Sequence, residues 1–388
     1  MTESVAVPAQ EQAIFFEGKA AESFKRPGLF LLLLGAGGVP LSLLWDYSWE
    51  CTIGVDLFWA PPHTAIYISI ALAGLGALAM LGRNTPGMRL GPWRGSFGTW
   101  LTLWGVAAFA SALLFERWWQ GAYGLSAGIW HPPQICKTVS FFAILAGAWS
   151  CCAAAQNRNE GSLLGKYGFL VAGGFLLVLI NVVSVTGSYA NRQHSGAFYE
   201  LTCVTYTPPL VALAVAGRVR FSATTASLVY VAGWCCIVWL LPLFSARPMT
   251  APVYNPLDHM MPPPFPLLLI LPALATDALL RGFSWPGGWT VSWLKAGVAG
   301  LVVAVVFILT QWFFAEFLLS GAAKNWIFAG GGQHWPFFLK ISDTARQAFW
   351  TTAGDELNEG SCLAAIMLAV LSARLGLWAG AWMKGLRR

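Results

Sequence analysis

The run PGLFLLLLGAGGVPLSLLW, from Pro27 to Trp45, holds 19 residues and no charge. At about 1.5 Å per helical residue it reaches close to the roughly 30 Å of a bilayer's hydrocarbon core. It ends in Trp45-Asp46-Tyr47-Ser48-Trp49-Glu50, an aromatic and acidic boundary of the kind that sits at a membrane surface. Runs of this sort recur along almost the whole chain. They read as ten spans, at about 28–45, 62–82, 97–115, 135–155, 167–186, 202–217, 225–246, 264–280, 296–319 and 361–383. The fold class expected is therefore an all-α integral membrane protein of about ten transmembrane helices, arranged as five helical hairpins.

Composition agrees. The 388-residue chain is 57% hydrophobic and 10% charged, against about 25% charged in soluble domains. Its net charge of +6 is spread through short loops rather than gathered in a patch, so nucleic acid is not an expected partner. Residues 1–26 are polar and lack the basic-then-apolar order of a cleaved signal peptide. They read as a cytoplasmic N-terminal segment, and 27–388 as one polytopic domain with a long extracytoplasmic loop at about 320–360.

Loop charge orients the chain. Lys25, Arg26, Arg83, Arg89, Arg94, Arg158, Lys166, Arg218, Arg220, Arg281, Lys295 and Lys384 fall on one side of the expected helices. Positive loops stay inside, which predicts cytoplasmic termini in a bacterial inner membrane. The opposite side collects all five histidines, His63, His131, His194, His259 and His334, spaced 63 to 75 residues apart. Each lies near a Trp- or Pro-rich segment, one for each hairpin.

The densest such segment is the first. Pro61 and Pro62 suit a first helical turn and place His63 at a helix N-terminus, where the dipole favours neutral imidazole, the metal-binding form. Asp46, Glu50, Cys51 and Asp56 lie within the same short loop, and Asp56 is expected to reach the His63 ring, as carboxylates do behind metal-bound histidines. His131 precedes Pro132-Pro133 and Cys136. His194 is followed by Glu200 and Cys203. His259 precedes Met260 and Met261, and imidazole beside thioether suits copper(I). His63, His131, His259, Asp56, Glu50 and Met260 form the leading candidate metal set, with His194, Glu200, Cys136 and Asp46 as further candidates. Cys51, Cys136, Cys203 and Cys362 are placed for a disulfide in an oxidising compartment. Pro208-Pro209 is expected to break the sixth span, as happens where a helix lines a cavity.

The stretch Asp46, Trp49, Glu50, Gly54, Asp56, Trp59, Pro61, Pro62, His63 resembles a pattern in a family of uncharacterised bacterial multi-pass membrane proteins: Asp-x-x-Trp-His, then Gly-x-Asp, then Trp-x-Pro-Pro-His. Glu50 stands where that pattern has histidine. The resemblance covers about 20 of 388 residues and implies a multi-pass membrane protein but no reaction.

No phosphate-binding loop, His-Glu-x-x-His or Gly-x-Ser-x-Gly motif occurs. Three functions remain: metal handling with copper as cofactor at the outer face, a structural or quinone-contacting subunit working with other membrane proteins, and a secondary transporter.

Overall fold

The computed structural model describes residues 9–386 except 56, 84–86, 125–129, 159–162, 283–287, 331–334 and 341–354, with backbone only for residues 9–26 and Trp289. Ten α-helices occur among the described residues: α1 Ala9–Thr52, α2 Pro61–Ala79, α3 Phe97–Tyr123, α4 Pro132–Arg158, α5 Leu163–Val183, α6 Gly196–Ala216, α7 Ser222–Leu240, α8 Ile270–Gly282, α9 Trp289–Leu319 and α10 Glu359–Gly385. A small antiparallel hairpin, β1 Met88–Leu90 with β2 Trp93–Gly95, joins α2 to α3. Eight helices are long and apolar enough to cross a membrane. The other two, α6 and α8, stand out for function.

Helix α6 is rich in hydroxyls: Tyr199, Thr202, Thr205, Tyr206 and Thr207. It tolerates them because most of its surface is covered by protein: α10 packs against it, with α8, α5, α7 and α9 also in contact. Contrary to the sequence expectation, α6 runs unbroken through Pro208 and Pro209. Neighbouring protein re-satisfies what a proline removes, and here α10 lies very close: a Cβ on Gly376 would stand 2.7 Å from the Pro208 carbonyl oxygen.

The interruption falls in the eighth element instead. The expected helix over 264–280 starts only at Ile270, and Met260 to Leu269 is non-helical. Pro262, Pro263, Pro264 and Pro266 explain this, since each proline holds the residue before it out of the helical region and lacks an N–H.

Helix packing is not sequential throughout. α1 packs on α2 and α3 on α4, whereas α10 packs on α6 and α9. The α1–α2 crossing depends on small residues. A Cβ on Gly35 would lie 2.3 Å from Ala73 N, and one on Gly76 would lie 2.4 Å from Leu32 N; backbones approach this closely only where side chains are small.

Contacts define two ends of the bundle. At one end Asn157 of α4 donates to the Met383 and Leu386 carbonyls, Arg218 reaches Asn157, and Arg281 donates to the Ala214 and Gly217 carbonyls. This is the basic end. Asp277 accepts from the Ala223 and Thr224 backbone N–H groups and the Thr224 hydroxyl, so it caps the N-terminus of α7. Arg281 caps the C-terminus of α6 in turn. At the opposite end the connecting segments interlock. Met249 N–H donates to Ile53 O, Phe337 N–H to Cys51 O, Ala246 N–H to Asp258 O, and Leu357 N–H to His194 O. Gly54, at φ +78°, leaves room for the Phe337 ring. Apolar side chains such as Trp104, Leu114, Leu363, Met367, Leu371, Leu375 and Trp378 are exposed on the outside of the bundle and meet lipid.

Candidate functional site: a broken helix in a polar ring

Backbone that leaves helical geometry inside a membrane protein must find partners for its N–H and C=O groups, each costing several kcal/mol if left bare. The Met260–Leu269 segment finds them in five side chains from three helices, α1, α7 and α9. Met261 N–H donates to Thr52 Oγ1 at 2.8 Å, and the Ser48 hydroxyl donates to Met261 O. Trp234 Nε1 donates to Pro264 O at 2.8 Å. Leu267 N–H donates to the Tyr230 hydroxyl at 2.9 Å, and Leu268 N–H to Gln311 Oε1 at 2.8 Å.

The last two acceptors belong to a ring. Asn181 Nδ2 donates to the Tyr230 hydroxyl at 2.7 Å, and the Ser188 hydroxyl donates to Asn181 Oδ1. Gln193 Nε2 donates to Ser188 O at 2.7 Å, and Gln311 Nε2 donates to Gln193 Oε1 at 2.7 Å. The ring thus closes from Leu267 through α7, α5, the 185–193 connection and α9 back to Leu268. Asn181, Gln193, Tyr230 and Gln311 are fully buried. Such a network is stable because every member is used; with one removed, its partners are left bare in a medium that cannot replace them.

His194 follows Gln193 directly and is 2% exposed. Its Nε2 lies 3.1 Å from Glu316 Oε1, without hydrogen-bond geometry, and its ring stands edge-on to Trp312 at 4.4 Å between centroids. Nearby, Tyr47 and Tyr189 share a hydrogen bond. Burial pushes the Tyr189 phenol above its usual range, so it stays protonated.

A small cavity lies between α6, α8 and α9. Thr202, Cys203, Tyr206 and Leu210 of α6 line it, with Leu269, Pro272 of α8, and Val303 and Phe307 of α9. The half-helix α8 begins there.

The candidate metal residues do not gather in this way. Among the described residues no group of three or more His, Cys, Asp or Glu is placed to hold a metal ion. His63 makes local contacts: Nδ1 is 2.9 Å from Leu57 O and Nε2 is 3.3 Å from Asp46 Oδ1. The carboxylate reaching it is therefore Asp46; Asp56 lies outside the described residues, as does His334. Glu50 is exposed. His131 lies against Trp119, 6.4 Å between centroids, and the nearby Glu116 takes Lys137 at 2.8 Å and Gln134 at 3.0 Å. His259 pairs with its neighbour Asp258 at 2.8 Å on the surface. Met260 points the other way, into an apolar cluster with Ile53 and Leu241. Glu200 is partly buried on α6, and Cys136 is exposed. All eight cysteines are free, Cys51, Cys136, Cys203 and Cys362 among them, and Cys51 is packed with Leu257, Met261 and Phe337.

The ring residues escaped the sequence reading, which followed histidines and acids. Their signal was present: Asn181 and Gln311 are lone carboxamides inside apolar runs, and polar groups at membrane depth mark interiors and pathways.

The chain matches no family model, no curated protein and no solved structure.

Proposed function

We propose that this protein is a secondary transporter that admits a small solute through the bundle beside the broken element α8. The observation that carries the reading is the non-helical Met260–Leu269 segment, held by side chains of α1, α7 and α9, running into a half-helix at a cavity. Transporters place solute at such interruptions, because an interrupted helix supplies free backbone groups and a hinge within the membrane. A merely structural helix has no need of a proline-rich break plugged by a buried polar ring. The histidine-bearing end faces away from the cytoplasm in this proposal, following the positive-inside charge pattern, and the membrane is a bacterial inner membrane. A copper-handling role finds less support, since His63, His131 and His259 are each engaged locally.

Cys203, which lines the cavity, is a native reporter. With the other seven cysteines replaced, a small membrane-impermeant thiol reagent is added to vesicles of either orientation. Modification of Cys203 from both faces is the expected result. Reaction from one face only, or from neither, refutes transport by this route.

A further inference from the structure

Of the four described histidines only His194 is buried. Neither of its ring nitrogens finds a hydrogen-bond partner among the described residues. A buried polar group in that state is costly to keep. What answers it is a charge: Glu316 Oε1 stands 3.1 Å from Nε2, off hydrogen-bond geometry. Glu316 itself is exposed. It lies one turn before the end of α9 at Leu319, so it meets water at the histidine-bearing end.

The pair adjoins the closing bond of the polar ring. Gln193 precedes His194, and Gln311 precedes Trp312. The Gln311–Gln193 hydrogen bond at 2.7 Å and the His194–Trp312 ring contact at 4.4 Å are therefore consecutive rungs between the same two stretches. Trp312 and Glu316, four residues apart, share a face of α9, and both meet the imidazole. Gln311 in turn holds Leu268 N–H of the broken segment. A change of charge at His194 thus acts one residue away from the bond that closes the ring.

Other charged and titratable groups sit on the elements packed around the imidazole. They are Arg192 on the preceding turn, the Tyr47–Tyr189 pair, Tyr199 and Glu200 on α6, and Asp355 and Glu356 on the segment that pairs with Ser195 and Gly196. Among the described residues only Glu316 makes an ion-pair contact with His194. A metal ion needs further ligands, and no group of three or more His, Cys, Asp or Glu is placed to hold one among the described residues. A proton needs only these two. A proton taken from water by the Glu316 carboxylate has 3.1 Å to cross to Nε2. The carboxyl O–H breaks, the Nε2–H bond forms, and an imidazolium is left beside a carboxylate. Burial tolerates that charge pair only while both members are present.

We propose that His194 and Glu316 form a proton-binding site, and that transport is coupled to a proton taken from the histidine-bearing face. The assignment rests on the transporter reading above and names its coupling ion.

The first test is proton uptake by the purified full chain in dilute buffer with a pH dye. Across about pH 7.5 to 5.5, the range in which histidines change charge, wild type is expected to take up about one proton more per chain than His194→Gln or Glu316→Gln. An ordinary surface carboxylate stays ionised throughout that range, so uptake lost in Glu316→Gln reports its tie to His194. Because Glu316 is exposed, its variant keeps the test decisive where His194→Gln fails to fold. The second test is the Cys203 labelling described above, at equal pH on both faces, so that the thiol's own pH dependence cancels from the ratio of outer to inner rates. A ten-fold preference of the proton for one of two states shifts that ratio by about ten-fold across the same range. This is expected in wild type, with a constant ratio in both variants. Uptake equal in wild type and Glu316→Gln overturns the site, whichever way Cys203 labels. A constant ratio in wild type, with Cys203 labelled from both faces, overturns the coupling and leaves the transporter reading standing. Absence of two-sided labelling overturns the transporter reading itself, and the coupling with it.

Discussion

Replacing Gln311 and Gln193 by methionine, singly and together, tests whether the polar ring acts as a unit. Methionine is close to glutamine in size but neither donates nor accepts strongly. In Gln311→Met, Leu268 N–H loses its acceptor and Gln193 Oε1 loses its donor. Each bare buried group costs about 1–3 kcal/mol, so the variant is expected to lose about 2–6 kcal/mol. In Gln193→Met, Gln311 Nε2 and Ser188 O are the orphans, again about 2–6 kcal/mol. In the double variant the Gln–Gln partners vanish together, leaving only Leu268 N–H and Ser188 O bare. Its cost is expected to be about 2–6 kcal/mol rather than the sum of the singles, a coupling of several kcal/mol. The assay is equilibrium unfolding in mixed micelles with increasing dodecyl sulfate, followed by tryptophan fluorescence. Additivity within about 0.5 kcal/mol would show the two residues to be independent and would refute the ring as the support of the broken helix.

Further tests follow from other contacts. Asp277→Ala strips the cap from α7 and is expected to lower stability by about 1–2 kcal/mol, whereas Asp277→Asn, which keeps an acceptor, loses less; equal losses in the same micelle titration would contradict the capping role. Gly35→Leu has no room against Ala73 and is expected to prevent recovery of monodisperse protein or to cost at least about 1–3 kcal/mol; a variant as stable as wild type would show the α1–α2 crossing to be wrong. Cysteines introduced at Arg89 and Trp130, both exposed, are expected to label from opposite faces of the membrane, and labelling from one face would overturn the assignment of the two ends. Elemental analysis of the purified protein is expected to show metal content unaffected by His63→Ala; a stoichiometric metal lost in that variant would restore a metal site centred on the first loop.

Much of the architecture was legible from hydropathy. Each of the ten expected spans overlaps an observed helix, but only eight of these are long and apolar enough to cross a membrane; an uncharged run in lipid has no other way to satisfy its backbone. Departures came where a different rule competed. The double proline of α6 signalled a break that did not occur, as adjoining protein absorbed the loss; the four prolines between Met260 and Leu269 produced the real one. Histidine spacing was a true regularity, but its reading as one shared site was not matched by the geometry. Regular spacing sets the membrane face a residue occupies and leaves its distance from other helices open. His63, His131 and His259 accordingly met different neighbours.

The sequence by itself determined the membrane class and the approximate limits of ten helices, eight of them long and apolar enough to cross a membrane, since these follow from local hydropathy. Tertiary structure alone decided which polar groups meet. Asn181, Ser188, Gln193, Tyr230, Gln311 and the Leu267–Leu268 backbone come from five separate stretches. Their association depends on helix order and rotation in the bundle. Those are set by close packing at positions such as Gly35, Gly76 and Gly376, where the absence of a side chain brings distant backbones together and leaves no periodic trace in the chain.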